Sequence, residues 1–83
     1  MKYTYVLSCS DKQLYVGSTV DLKARLNRHR VGQVPATRNR LPVQLVYYEA
    51  CKAKRDAIHR ERYLKTSHGK HYLKNRLKSY LTG

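Results

Sequence analysis

The chain predicts a small α/β fold, a sheet covered by helices, in the order β-β-α-β-α-α. Three observations carry this. At 83 residues the chain forms one domain, taken as residues 1–83, with a thin but sufficient core. Two short runs of β-branched and aromatic residues are separated by a polar turn. The remaining apolar positions fall at helical spacing around a third apolar run. The strand–strand–helix–strand–helix–helix order suggests an α/β sandwich of mixed connectivity.

Tyr3 to Cys9 reads Tyr-Thr-Tyr-Val-Leu-Ser-Cys and predicts a strand. Ser10-Asp11-Lys12 supplies a turn, and Gln13 to Thr19 a second strand with Gly17 inside it. A hairpin closing around Asp11 sets Leu7 opposite Tyr15 and Tyr5 opposite Gly17. Tyr5 and Tyr15 then share one face as diagonal neighbours. Gly17 marks either a bulge or a close approach of another group. A helix follows to about Val31, capped by Ser18 or Thr19, with Asp21 in its first turn and Gly32 just past its end. Residues 33–42 are a loop bounded by prolines. Val43 to Ala50 is a third strand. Ala53 to Thr66 is a second helix, broken by His68-Gly69, and Lys70 to Leu81 is a last helix.

Eighteen Lys and Arg against five acids leave a formal net charge of +13. Such a field attracts polyanions, and nucleic acid is the expected partner. No apolar run approaches the roughly 18 residues of a membrane span, and no helix has the broad apolar face of an interfacial anchor. The N-terminus runs directly into strand-like sequence, so no signal peptide is expected. Cys9 and Cys51 match no zinc spacing and read as reduced residues of a cytoplasmic protein, here one associated with the nucleoid.

Three polar residues stand where apolar ones belong. At about 100° per residue, Leu22, Leu26 and His29 fall within about 60° of arc, with Arg25 at its edge. In the second helix Glu61 lies between Ala57, Leu64 and Ile58. A charge turned toward a core demands a partner. For Glu61 that partner is Arg25, Lys65 or a hard metal ion such as Mg²⁺. Two phenols, a guanidinium, an imidazole and one carboxylate are parts that phosphoryl transfer can use. The carboxylate would hold a metal, the arginine would stabilise developing charge, and a tyrosine or His29 would take a proton from water. An unperturbed phenol titrates near pH 10, so Tyr5 needs help, which neighbouring cations could give. Arg28, Arg30, Arg38, Arg40, Lys70 and Lys74 are the expected nucleic-acid backbone contacts.

At these residues the chain resembles the GIY-YIG nuclease superfamily, in particular its small single-domain, excision-nuclease-like members. The resemblance runs through Tyr3-Thr4-Tyr5, Tyr15-Val16-Gly17, Ser18-Thr19, Asp21-Leu22, Arg25-Leu26 and His29. It continues in Thr37-Arg38, Pro42, Leu45 to Glu49, Ala57, Glu61 and Leu64-Lys65. It implies an α+β fold with a three-stranded antiparallel sheet flanked by three to four helices. It also implies an endonuclease that cleaves DNA phosphodiester bonds, directed to a structure or a single strand. By the same resemblance Tyr5 is the general base or water-orienting phenol, Tyr15 the second active-site tyrosine and Arg25 the transition-state arginine. His29 assists proton transfer, and Glu61 is the one ligand of a single Mg²⁺ or Mn²⁺, with no small-molecule cofactor. The first triplet has Tyr3 where the family has glycine. Asn75, the one candidate for the family's late asparagine, falls on the polar side of the last helix. The competing reading is a nucleic-acid-binding module with little or no catalysis, acting on RNA or within a larger repair or recombination complex.

Overall fold

A computed structural model of the protein describes residues 1–82. Three strands form one antiparallel sheet in the order β2-β1-β3: β1 is Lys2–Ser8, β2 Leu14–Thr19 and β3 Gln44–Cys51. The sheet is therefore wholly antiparallel, as the resemblance implied. The chain avoids a parallel pair because β3, arriving after a helix and a long loop, adds to the free edge of β1 in the opposite sense. Helices follow at α1, Leu22–Arg30, α2, Lys54–Leu64, α3, Ser67–Arg76, and α4, Lys78–Thr82.

The hairpin register is the expected one, with Leu7 opposite Tyr15 and Tyr5 opposite Gly17. Alternation then sorts the side chains onto two faces. Thr4, Val6, Val16 and Ser18 face α2 and α3. There Val6 and Val16 pack with Leu64 and Leu73 into the core, and the Thr4 hydroxyl donates to the Ala57 carbonyl at 3.0 Å. Tyr5, Leu7, Tyr15 and Gly17 face α1 and the loop of residues 33–42. Both cysteines are free, Cys9 buried and Cys51 half-buried.

Two expected boundaries move. Asp21, rather than Ser18 or Thr19, caps α1, its carboxylate accepting from the Ala24 amide at 3.1 Å. Thr19 accepts from the Asp21 amide and Ser18 is used elsewhere. His68-Gly69 does not break a helix but lies inside α3, whose N-cap is Thr66, accepting from the Gly69 amide at 3.1 Å. Gly69 is there for room. A Cβ at this position would run into the backbone of Tyr63 and Leu64, so α3 sits directly on the end of α2. The expected last helix divides at Leu77, a buried residue with φ −106° and ψ 21°. Among the described residues no helix is long and apolar enough to cross a membrane.

Candidate active site

The site lies on β1 and the edge strand β2, with groups arriving from both faces. On the α1 face Tyr5 and His29 are both wholly buried, and the Tyr5 hydroxyl lies 2.8 Å from His29 Nε2. The other ring nitrogen, Nδ1, lies 2.7 Å from the Thr37 hydroxyl, also wholly buried. Arg25 donates from Nε to the Tyr5 oxygen at 3.4 Å. Tyr15 closes the group, its ring centroid 6.3 Å from that of Tyr5 and 5.3 Å from that of His29.

Arg25 can only donate, so the Tyr5 oxygen accepts from it; with His29 protonated on Nδ1, Tyr5 gives its own proton to Nε2. The imidazole proton then sits on Nδ1 and is donated to Thr37. Burial holds the Tyr5 phenol above its ordinary value, even though the Arg25 hydrogen bond pulls it down. Nearby cations therefore do not produce a standing phenolate, the help that sequence reasoning looked for. Burial pushes the His29 pKa below the usual histidine range, and Arg25 and Arg28 add to this. The pair rests as a neutral phenol donating to a neutral imidazole.

Gly17 explains how Tyr5 reaches this place. A Cβ there would lie 2.6 Å from the Tyr5 hydroxyl, 2.7 Å from its Cζ and 3.1 Å from Tyr15 Cε2. Of the two readings offered for Gly17, close approach is the observed one. The irregularity in the sheet lies instead between β1 and β3, at Val6/Leu7.

Glu61 comes from the opposite face. The Ser18 hydroxyl donates to its Oε1 at 2.7 Å, and Lys65 Nζ lies 2.9 Å from its Oε2. Burial raises the Glu61 pKa, but the bonds from Ser18 and Lys65 more than offset this and the carboxyl lies below its usual range. Of the partners expected for Glu61, Lys65 is the one observed, while Arg25 bonds to Tyr5. Glu61 and Arg25 are both half-buried, Glu61 bonded to Ser18 of the edge strand β2 and Arg25 to Tyr5 of the central strand β1.

No cluster of three His, Cys, Asp or Glu exists among the described residues. One carboxylate beside a hydroxyl is a hard oxygen donor set. It suits Mg²⁺ or Mn²⁺, which fill their other positions with water and substrate oxygens, and does not suit zinc. Lys65 already places a positive charge against Oε2, the oxygen that Ser18 does not use.

The profile of the GIY-YIG catalytic domain matches residues 1–78. The chain belongs to the GIY-YIG family. A UPF0213 protein of Streptococcus agalactiae serotype V is 52% identical over 60 residues, which cover 71% of this chain and 68% of that protein. A UPF0213 protein of Streptococcus pyogenes serotype M5 is likewise 52% identical over 60 residues, covering 71% and 65%. The solution NMR structure of a UPF0213 protein from Bacillus halodurans matches with a TM-score of 0.56 at 34% identity, over 88% of this chain and 82% of that one. The GIY-YIG domain is a nuclease domain, so nucleic acid is the substrate class the family implies, and a divalent metal its usual requirement.

Of the five expected catalytic residues of this GIY-YIG domain, Tyr5, Tyr15, Arg25 and His29 form one contact group, while Glu61 bonds to Ser18 of β2. The expected backbone contacts scatter. Arg28 and Arg30 are exposed on α1, Arg38 on the loop, and Lys70 and Lys74 on α3. Arg40 is committed to Asp11 at 2.8 Å, and its carbonyl accepts from the Ser10 amide at 2.9 Å. Its first task is to tie the loop to the hairpin turn. Sequence reasoning missed the roles of Ser18 and Thr37. Ser18 was visible one residue after Gly17, on the α2 face set by strand alternation. Thr37 gave no local signal, because it is reached only through the fold of the loop.

Proposed function

We propose that this chain is a metal-dependent endonuclease hydrolysing DNA phosphodiester bonds. The observation that carries the reading is the buried Arg25–Tyr5–His29–Thr37 chain of hydrogen bonds, together with the single carboxylate of Glu61 bonded to Ser18 of β2. Such a chain is more than packing requires. Each member is oriented by the next, and the arrangement ends on a group able to give or take a proton.

Glu61, with Ser18 fixing its rotamer, would hold one Mg²⁺ or Mn²⁺. When bound, the ion supplies charge neutralisation at the scissile phosphate and makes water a better nucleophile. Arg25 meets the phosphate from the other side. Its Nε is used on Tyr5, and the remaining guanidinium N–H groups are available to a non-bridging oxygen, where charge builds in the transition state. Water gives its proton to the Tyr5 oxygen as Tyr5 passes its own to His29 Nε2. The imidazolium that results donates from Nδ1 to Thr37. The water oxygen bonds to phosphorus as the P–O bond to the leaving strand breaks, and the leaving oxygen takes a proton from solvent. Burial disfavours the imidazolium, so His29 holds the proton only transiently and returns it through Tyr5.

The closed surroundings of Tyr5 add a condition. Of the groups packed about its phenol, Arg25 and Tyr15 are half-exposed, whereas Gly17 and His29 are buried. A phosphate that draws the Arg25 guanidinium toward itself also opens the path to the Tyr5 oxygen. Substrate binding and access of water to the relay are thereby coupled.

The test is a panel of nicked, branched, single-stranded and duplex DNA with Mn²⁺ or Mg²⁺. Metal-dependent strand breaks by the wild type, absent with EDTA, support the reading. Binding without breaks on every substrate and metal overturns it and leaves a binding module.

A further inference from the structure

Beside the site, a groove of about 730 Å³ runs between the hairpin, the loop and α3. Its lining includes five cations, Lys12, Arg40, Lys65, Lys70 and Lys74, and no carboxylate. Arg40 and Lys65 are paired with Asp11 and Glu61, which leaves Lys12, Lys70 and Lys74 as its unengaged charges. The lining is otherwise largely apolar, contributed in part by Leu14, Ala36 and Leu81. Tyr15 lines it too, and Lys65 joins it to Glu61, so the groove opens directly onto the candidate catalytic edge.

We infer that this groove binds an unpaired stretch of DNA next to the scissile phosphate. The inference rests on the nuclease reading for its link to cleavage and names the substrate class of that site. Duplex DNA offers a protein mainly phosphates and base edges inside grooves, so an apolar floor gives it nothing to touch. A single strand carries alternating anionic phosphates and flat apolar bases, and the groove presents lysines and apolar side chains together. The three unpaired lysines lie on the hairpin turn and on α3. Tyr15, at the end nearest the relay, is placed to stack on the base beside the cut. An unpaired strand laid here brings one of its phosphates to Arg25 and Glu61. A continuous duplex must first be opened or nicked.

The test is fluorescence anisotropy of the full chain in EDTA, with labelled oligothymidylate, a blunt duplex of mixed sequence, an abasic strand of equal length, and a matched RNA. The single DNA strand is expected to bind about tenfold tighter than the duplex and about tenfold tighter than the abasic strand. Lys70→Ala, Lys74→Ala and Lys12→Ala are each expected to lower the slope of log K against log salt by about 0.7. Equal or tighter duplex binding, an abasic strand that binds as well, tighter binding of the RNA, or unchanged salt slopes would each overturn the inference. Cleavage with Mn²⁺ is scored separately. Single-strand preference without cleavage leaves the groove assignment standing and removes the nuclease. Cleavage without that preference does the reverse.

Discussion

His29 Nε2 lies 2.8 Å from the hydroxyl of Tyr5, and neither side chain is exposed to solvent. A buried neutral histidine must take up a proton when the chain unfolds in acid, and this gives the first expectation. Its pKa in the folded state is depressed, by burial first and then by Arg25 and Arg28, so the folded protein binds fewer protons than the unfolded chain below about pH 6.5. Stability is therefore full above that value and falls as pH drops toward and through the folded pKa. Urea unfolding between pH 8 and pH 5 measures this. His29→Gln is expected to flatten the slope, and an unchanged slope would show that other groups carry it.

In the tautomer the proposed relay requires, Thr37 accepts the His29 Nδ1 proton. Thr37→Val leaves the Nδ1 proton without an acceptor, at a cost of about 1–3 kcal/mol, and favours the form that carries its proton on Nε2. That form donates to Tyr5 and cannot accept from it. Imidazole ¹⁵N shifts are expected to report Nδ1–H in the wild type and in Thr37→Ser, and Nε2–H in Thr37→Val. Strand cleavage should fall about tenfold or more in the valine variant and recover in the serine variant. Loss of activity with an unchanged tautomer would assign Thr37 a packing role only.

Gly17→Ala places a methyl group 2.6 Å from the Tyr5 hydroxyl. The clash meets a packed ring rather than a flexible end, so about 1–3 kcal/mol of stability should be lost. The Tyr5–His29 bond should loosen with it, seen as faster exchange of the Tyr5 hydroxyl proton. An alanine variant as stable as the wild type, with that proton equally protected, would contradict the close approach.

On the proposed reading, a metal ion would compete with Lys65 for Glu61 Oε2. Lys65→Met is expected to bind Mn²⁺ several-fold more tightly in the absence of DNA, while Glu61→Gln should bind it at least tenfold more weakly. Electron paramagnetic resonance of free Mn²⁺ measures both. Equal affinity in all three proteins would place the ion elsewhere.

The inward turn of Arg25, His29 and Glu61 was legible in sequence because helical periodicity is a local property. Hairpin register was legible for the same reason, since a short turn fixes which residues of β1 and β2 oppose each other. The antiparallel β3 was legible only through the family resemblance, and the partners Ser18 and Thr37 and the burial of Tyr5 were not legible, because each depends on how distant segments meet. His68-Gly69 misled because a glycine demanded by the contact between α2 and α3 looks, in sequence, like a helix breaker. Arg40 looked free for DNA until the fold brought Asp11 to it.

On the proposed reading Glu61 and Arg25 act together on one phosphodiester. Single-turnover cleavage of the best substrate in Mn²⁺, by wild type, Glu61→Gln and Arg25→Ala, measures it most directly, with folding checked by circular dichroism and DNA affinity by anisotropy. Each variant should stay folded, bind DNA within a few-fold of the wild type and cleave about 10²–10³-fold more slowly. Cleavage within twofold of the wild type by either folded variant would contradict the account.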